Sequence, residues 1–186
     1  MDNRYVKIFA SGSKAPLKAT PGHFATNHAH INYYLDMTTL KTRLSEAQEV
    51  AKHLAERFLF DKVVDTIVCL EGTQVIGAYL AEELTRAGVL STNAHKTIYV
   101  ITPEYNSNSQ MVFRENILPM VHGKNVVILT AVVTTGLSLN KSIEAIQYYG
   151  GKLQSAAAVF STLDELKRMP DHIHLQPGGC DRLYLL

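Results

Sequence analysis

Residues 126–138 read Val-Val-Ile-Leu-Thr-Ala-Val-Val-Thr-Thr-Gly-Leu-Ser. Val126 to Leu129 form a wholly apolar run, as expected of a strand covered on both faces, and four transitional residues separate it from a turn that opens a helix. A buried strand feeding straight into a helix is the repeating unit of a parallel sheet, so this stretch alone points to an α/β fold. In the turn, backbone N–H groups meet the hydroxyls of Thr134, Thr135 and Ser138 at a helix N-terminus, where the macrodipole favours an anion. Two readings stand: an ordinary helix cap, which needs one hydroxyl, or a phosphate cradle. The strand–Thr-Thr-Gly–helix context is the better match for phosphate.

The rest of the chain keeps the same rhythm. Ala47, Val50, Ala51, Leu54, Ala55, Phe58 and Leu59 hold helical spacing over 43–60, with Ser45 and Gln48 as a capping box. A strand is expected over Thr66–Leu70. Glu71-Gly72-Thr73 then turns into a helix carrying Val75, Ile76, Tyr79, Leu80, Leu84 and Ala87, stopped by Gly88. A strand over Thr97–Ile101 follows, then the strand from Val126, the helix Leu137–Tyr149 ended by Gly150-Gly151, and a strand over Lys152–Phe160. A last short helix carries a second capping box, Thr162 and Glu165, and ends at Pro170.

Strands alternating with helices imply a mostly parallel, doubly wound sheet whose ligands bind at the carboxyl ends of its strands. Glu71–Thr73 and Thr134–Ser138 both fall at such ends. Glu71 reads either as a solvated loop residue or as a ligand-facing carboxylate. The terminal segments fit the rhythm poorly. Tyr5–Phe9, Asn32–Met37, His172–Leu175 and Leu183–Leu186 are strand-like and are expected to pair as a small antiparallel hood. The expected organisation is one domain over 1–186, with a core of about 43–165 and a hood of about 1–42 and 170–186.

Composition excludes several classes. A net charge of +1 leaves no basic footprint for nucleic acid, and no apolar run approaches a membrane span. The first residues lack the apolar stretch of a signal peptide, and two cysteines make no disulfide framework, so a cytoplasmic setting is expected.

Three stretches carry a likeness to a known family. His23-Phe24-Ala25-Thr26-Asn27-His28-Ala29-His30-Ile31-Asn32-Tyr33-Tyr34-Leu35-Asp36 resembles a hood segment, Leu70–Gly77 a pyrophosphate-binding turn entering a helix, and residues 126–138 a signature for phosphoribosyl pyrophosphate (PRPP). Together they resemble the type I phosphoribosyltransferases, the orotate phosphoribosyltransferases above all. That resemblance implies transfer of ribosyl 5-phosphate from PRPP to a base nitrogen, with Mg²⁺, pyrophosphate release and a homodimer. It assigns Thr134, Thr135, Gly136, Leu137 and Ser138 to the 5-phosphate, Glu71, Gly72 and Thr73 to the pyrophosphate side, and His28, His30 or Asn32 to the base.

Two positions depart from the family pattern. Thr130 and Ala131 stand where the family carries the acidic pair that accepts the ribose hydroxyls. Loss of two charge-assisted bonds of roughly 1.5–3 kcal/mol each corresponds to roughly 10²–10⁴ in affinity or rate. The stretch Thr102–Gln110 also lacks the cations that the family places in its loop after the third strand, and Glu104 would repel pyrophosphate. Arg114 lies close enough in sequence to substitute from another angle. The alternative is a binding or regulatory module that senses a nucleotide or phosphate and has lost transferase activity.

Other candidates are weaker. His28/His30 and His172/His174 each put two imidazoles on one side of an extended segment, which fits a metal site, polar hood residues or plain surface positions; no metal ligand set is assigned. Cys180 in a Pro-Gly-Gly turn has no evident base beside it. Tyr5, Tyr33, Tyr34 and Tyr184 suit packing of the hood or stacking on a base.

Overall fold

A computed structural model describes residues 5–9, 15–25, 30–56, 62–86, 91–134, 136–161 and 183–185. Three N-terminal strands, β1 (Val6–Phe9), β2 (Pro16–Ala25) and β3 (His30–Asp36), form an antiparallel sheet in that order. This is the hood. Strand β2 was not among the expected hood strands; it carries a Pro21-Gly22 pair, which the register shift between Pro21 and Phe24 absorbs as an irregularity within the strand.

Two helices follow, α1 (Thr38–Thr42) and α2 (Leu44–Leu54), joined through extended Arg43. Ala47, Val50, Ala51 and Leu54 bury one face of α2, as their spacing requires. The Ser45–Gln48 capping box does not form. Helix α2 begins at Leu44 with Arg43 in the cap position and no side-chain cap bond, because a helix already precedes it and leaves no extended entry for Ser45. Arg43 pairs with Glu46 across the junction instead.

The core is a five-stranded, all-parallel sheet built from β4 (Thr66–Cys69), β5 (Tyr99–Ile101), a long strand Asn125–Val133, Lys152–Ser161 and Leu183–Leu185. A two-stranded hairpin, β6 (Glu104–Tyr105) and β7 (Met111–Val112), comes between, so these last three strands are β8, β9 and β10. The spatial order is β10-β9-β8-β4-β5. Leu183–Leu185, expected in the hood, joins the edge of this sheet in parallel with β9. A strand only three residues long carries no signal for which sheet it completes. His172–Leu175, the 162–170 helix, Ala87, Gly88 and Cys180 lie outside the described residues.

Alternating side chains give the sheet two faces. Ile67, Cys69, Val127, Leu129 and Ala131 pack with α2 and α3 (Gln74–Thr85); Val68, Val126 and Ile128 pack with Leu139, Ile143 and Ile146 of α4 (Leu137–Tyr148). Helix α3 comes close to the sheet at Gly77. A methyl group there would lie 2.3 Å from Cys69 Sγ and 3.2 Å from Val100 Cγ1. Among the described residues no helix is long and apolar enough to cross a membrane.

Burial pushes the Cys69 thiol up to about 12, from an ordinary 9.0. A raised thiol favours the folded state fully below pH 9.0 and loses that contribution as pH climbs from there towards about 12. Stability measured by urea unfolding should therefore fall across this window, and Cys69→Ala should flatten the fall. Gly77→Ala should cost about 1–3 kcal/mol by overpacking. The Gly77→Ala/Cys69→Ala double variant should lose less than the sum of the two singles, since the clashing sulfur is gone.

Candidate functional site

The sheet order contains one reversal. From β4 the chain moves out to β5, then returns to place β8 on the other side of β4. At such a switch point the connections leave in opposite directions and open a crevice beyond the strand ends. Glu71, after β4, and Thr130, near the end of β8, meet there. A cleft of about 1400 Å³ runs from this point along the length of α4, as far as Tyr148 and Tyr149, and under the β6–β7 hairpin.

The first wall is the turn after β4. Glu71 (φ 54°) and Gly72 (φ 80°) are both left-handed. Glycine adopts this freely; glutamate does so against steric resistance. Three residues hold the turn. Lys41 Nζ donates to the Glu71 carbonyl at 2.8 Å. Buried Thr73 places its hydroxyl 2.8 Å from Leu70 O and 3.1 Å from Leu129 O, and its N–H bonds Leu70 O. The Glu71 carboxylate reaches across to β8, where Oε2 accepts from Thr130 Oγ1 at 3.1 Å and from Val132 N at 3.3 Å.

The second wall is the turn into α4. Strand β8 continues through Thr130 and Ala131 to Val133, so the four residues read as transitional are strand. Their polar and small character does not end the strand because β9 pairs with it as far as Val133. Gly136 then takes φ 77° in the cap position of α4. No Cβ contact forbids a side chain at Gly136; the backbone conformation alone selects glycine. Thr134, Gly136 and Ser138 line the cleft. Lys141, one turn after Ser138 on the same helical face, lines it too.

The third wall is the hairpin. Asn106 Oδ1 accepts from the N–H groups of Asn108 (2.9 Å) and Gln110 (3.0 Å), which shapes the tip. Asn108, Ser109, Gln110 and Tyr105 face the cleft. Burial, and then the Glu71 charge, push the Tyr105 phenol above its ordinary value. Arg114 pairs with Glu104 at 2.5 Å at the surface, with the arginine largely exposed.

The sequence-derived candidates therefore divide. Glu71, Thr130, Thr134, Gly136 and Ser138 come together around the cleft. Thr73 does not offer its hydroxyl to a ligand, since it is buried and bonded to two carbonyls. Ala131 faces the opposite layer, among the α2–α3 contacts. Gly72 and Leu137 are exposed but do not line the cleft. Asn32 is exposed on the hood sheet, and no described hood residue lines the cleft; Ala15 and Leu17 at the start of β2, with Met37 and Leu40 at the junction with α1, pack instead into the α2–α3 layer. His30 lies in β3, paired with Ala25; His28 and Thr135 lie outside the described residues. Lys41 and Tyr105 were not singled out from sequence. Lys41 reaches the site from thirty residues away, which leaves no local pattern. Lys141 was legible in principle, from its spacing to Ser138.

A parallel sheet of this order, helices on both faces and an N-terminal hood make up the fold of the type I phosphoribosyltransferases. Solved structures bear this out. Orotate phosphoribosyltransferase of Mycobacterium tuberculosis H37Rv, in complex with inorganic phosphate, superposes with a TM-score of 0.52 at 17% identity, over 77% of this chain and 75% of that one. The orotate enzyme of Aeropyrum pernix gives 0.52 at 20% identity, over 77% and 75%. Adenine phosphoribosyltransferase of Rhodothermus marinus DSM 4252 gives 0.56 at 14% identity, over 91% and 92%. No family model and no curated protein matches the sequence.

The Gly136 turn should be sensitive to backbone chemistry alone. Gly136→Ala should cost about 1 kcal/mol in urea unfolding, and Gly136→Asn should cost less, since asparagine tolerates the left-handed region.

Proposed function

We propose that this protein binds a ribose 5-phosphate ligand, PRPP or a nucleotide, with the 5-phosphate at the turn Thr134–Ser138. One observation carries the reading: the left-handed Gly136 turn opens a twelve-residue helix inside the cleft at the sheet's switch point. There, the N–H groups of the helix's first turn, the Thr134 and Ser138 hydroxyls and Lys141 can share an anion's charge. The inorganic phosphate held by the M. tuberculosis enzyme of the same fold agrees in kind. Thr135 belongs to the same proposed cradle, and Gly72 to the pyrophosphate side.

Phosphoribosyl transfer to a base such as orotate is the activity this fold and ligand suggest. Mg²⁺ would come with it and supply charge neutralisation on the pyrophosphate. Among the described residues no three His, Cys, Asp or Glu side chains cluster into a metal cage. An ion that prefers phosphates and waters needs none. A homodimer and a cytoplasmic setting complete this reading; the exposed Val6, Ile8 and Phe9 of the hood suit an interface between copies.

Specific observations favour a second reading, a sensing module that binds without transferring. Ala131 is packed into the core, and Arg114, the cation that follows the hairpin, pairs with Glu104 and does not line the cleft. Both remove groups that would stabilise the developing charge on the sugar and pyrophosphate.

Calorimetry with PRPP and nucleoside monophosphates, run beside a pyrophosphate-release assay with Mg²⁺ and a panel of bases, separates the two. Saturable binding is expected, with turnover roughly 10²–10⁴ below ordinary enzyme rates. Release with orotate at ordinary rates would sink the sensing module. Absence of binding by PRPP, nucleotides and inorganic phosphate alike would sink both readings. Ser138→Ala should weaken phosphate binding about tenfold, as expected for one bond to a charged acceptor.

A further inference from the structure

The cleft continues well past the phosphate turn. Ser138 and Tyr148 both line it and lie ten residues apart on α4, about 15 Å along the helix axis. At about 1400 Å³ it exceeds the roughly 300–1,000 Å³ of a site for one small ligand. Its far half also differs in chemistry from the turn. Met111 and Ala145 supply apolar lining there, and Tyr148 and Tyr149 stand at its end.

A ladder of rings holds these tyrosines. Phe113, buried in the same layer as Met111 and Ile146, meets Tyr149 edge to face, with centroids 5.2 Å apart and an interplanar angle of 80°. Tyr149 in turn meets Tyr148 at 5.2 Å and 82°. The ladder ends at Tyr148, which is 84% exposed. A lone exposed aromatic is ordinary, but this ring is braced from the core outward and lines a cleft. Beside it on the cleft wall are groups of both hydrogen-bonding senses. Glu144 accepts, Lys141 donates, and Gln110, with its Oε1 bonded to Asn106 Nδ2 at 2.9 Å, has its amide N–H groups as donors.

An apolar ring would use the tyrosine face alone. A ring whose edge carries donors and acceptors uses the polar wall as well, and its face covers Tyr148. We propose that the far half of the cleft, from Lys141 to Tyr148, is a second binding site, separate from the phosphate turn, for a nucleobase or similar heteroaromatic ring stacked on Tyr148. The site does not depend on the phosphate reading.

Isothermal calorimetry on the full chain tests it with adenosine and uridine, which carry no phosphate, beside ribose and N-acetyltryptophanamide. Both nucleosides should bind, adenosine the more tightly because its larger ring covers more of Tyr148, and ribose should not. Tyr148→Ala should weaken adenosine at least about fivefold, whereas Tyr148→Phe, which keeps the stacking face, should stay within about twofold. Saturating inorganic phosphate should leave adenosine binding within about twofold. Undiminished binding by Tyr148→Ala would overturn the proposal, as would displacement of adenosine by phosphate, which puts the nucleoside at the turn. N-acetyltryptophanamide binding as tightly as adenosine would overturn the assignment to a base. A protein that binds inorganic phosphate but neither nucleoside sinks this site and leaves the phosphate reading standing.

Discussion

Strand β8 ends later than its neighbour β4, and that mismatch organises the site. Strand β4 pairs with β8 from Thr66 to Cys69, opposite Val126 to Leu129, and then leaves the sheet. Strand β8 runs on to Val133 with β9 on one side alone. Its other edge therefore has backbone groups to satisfy: the turn after β4 bonds Leu129 O through Leu70 N and the Thr73 hydroxyl, and meets Val132 N with the Glu71 carboxylate. The left-handed pair Glu71-Gly72 is the bend that lets one short turn serve all three. Removal of that turn would leave an unpaired sheet edge at the mouth of the cleft.

The same edge explains how the charges are laid out. Buried on both faces between two helical layers, β8 can display a polar group toward the cleft only where its side-chain alternation permits. Thr130 meets that condition and Ala131 packs against α2–α3. Its carboxylates are Glu71 and, on α4, Glu144, and its cation is Lys141 on α4, while Glu104 and Arg114 of the hairpin region pair with each other at the surface. The cleft thus draws its charge from the turn and the helix that flank β8.

Much of the core was legible because it obeys short-range rules. The apolar run Val126–Leu129, the 3.6-residue spacing of α2 and the Gly150-Gly151 stop after α4 each announce an element from a few residues. The hood was legible in part. Alternation over Asn32–Met37 announces β3, whereas Pro21-Gly22 interrupts β2, and nothing in Leu183–Leu185 says which sheet it completes, since strand pairing is a long-range choice that a three-residue segment does not encode. Caps were read too locally as well: Ser45 has the right chemistry but sits inside a helix whose start is set by α1.

At the site, the sequence by itself determined the chemistry of the opening turn, because Thr134, Gly136 and Ser138 are contiguous and the helix after them is periodic. It also determined that Thr130 and Ala131 carry no charge. Only the tertiary structure decided where the missing charge would come from. Glu71 and Thr130 are 59 residues apart, Lys41 and Glu71 are 30 apart, and nothing in their local neighbourhoods marks them as partners. The order of strands in the sheet puts the ends of β4 and β8 side by side, and a left-handed backbone at Glu71 completes the contact. The strand–turn–helix of 126–138 could be read from its own residues; the carboxylate beside it is a consequence of topology.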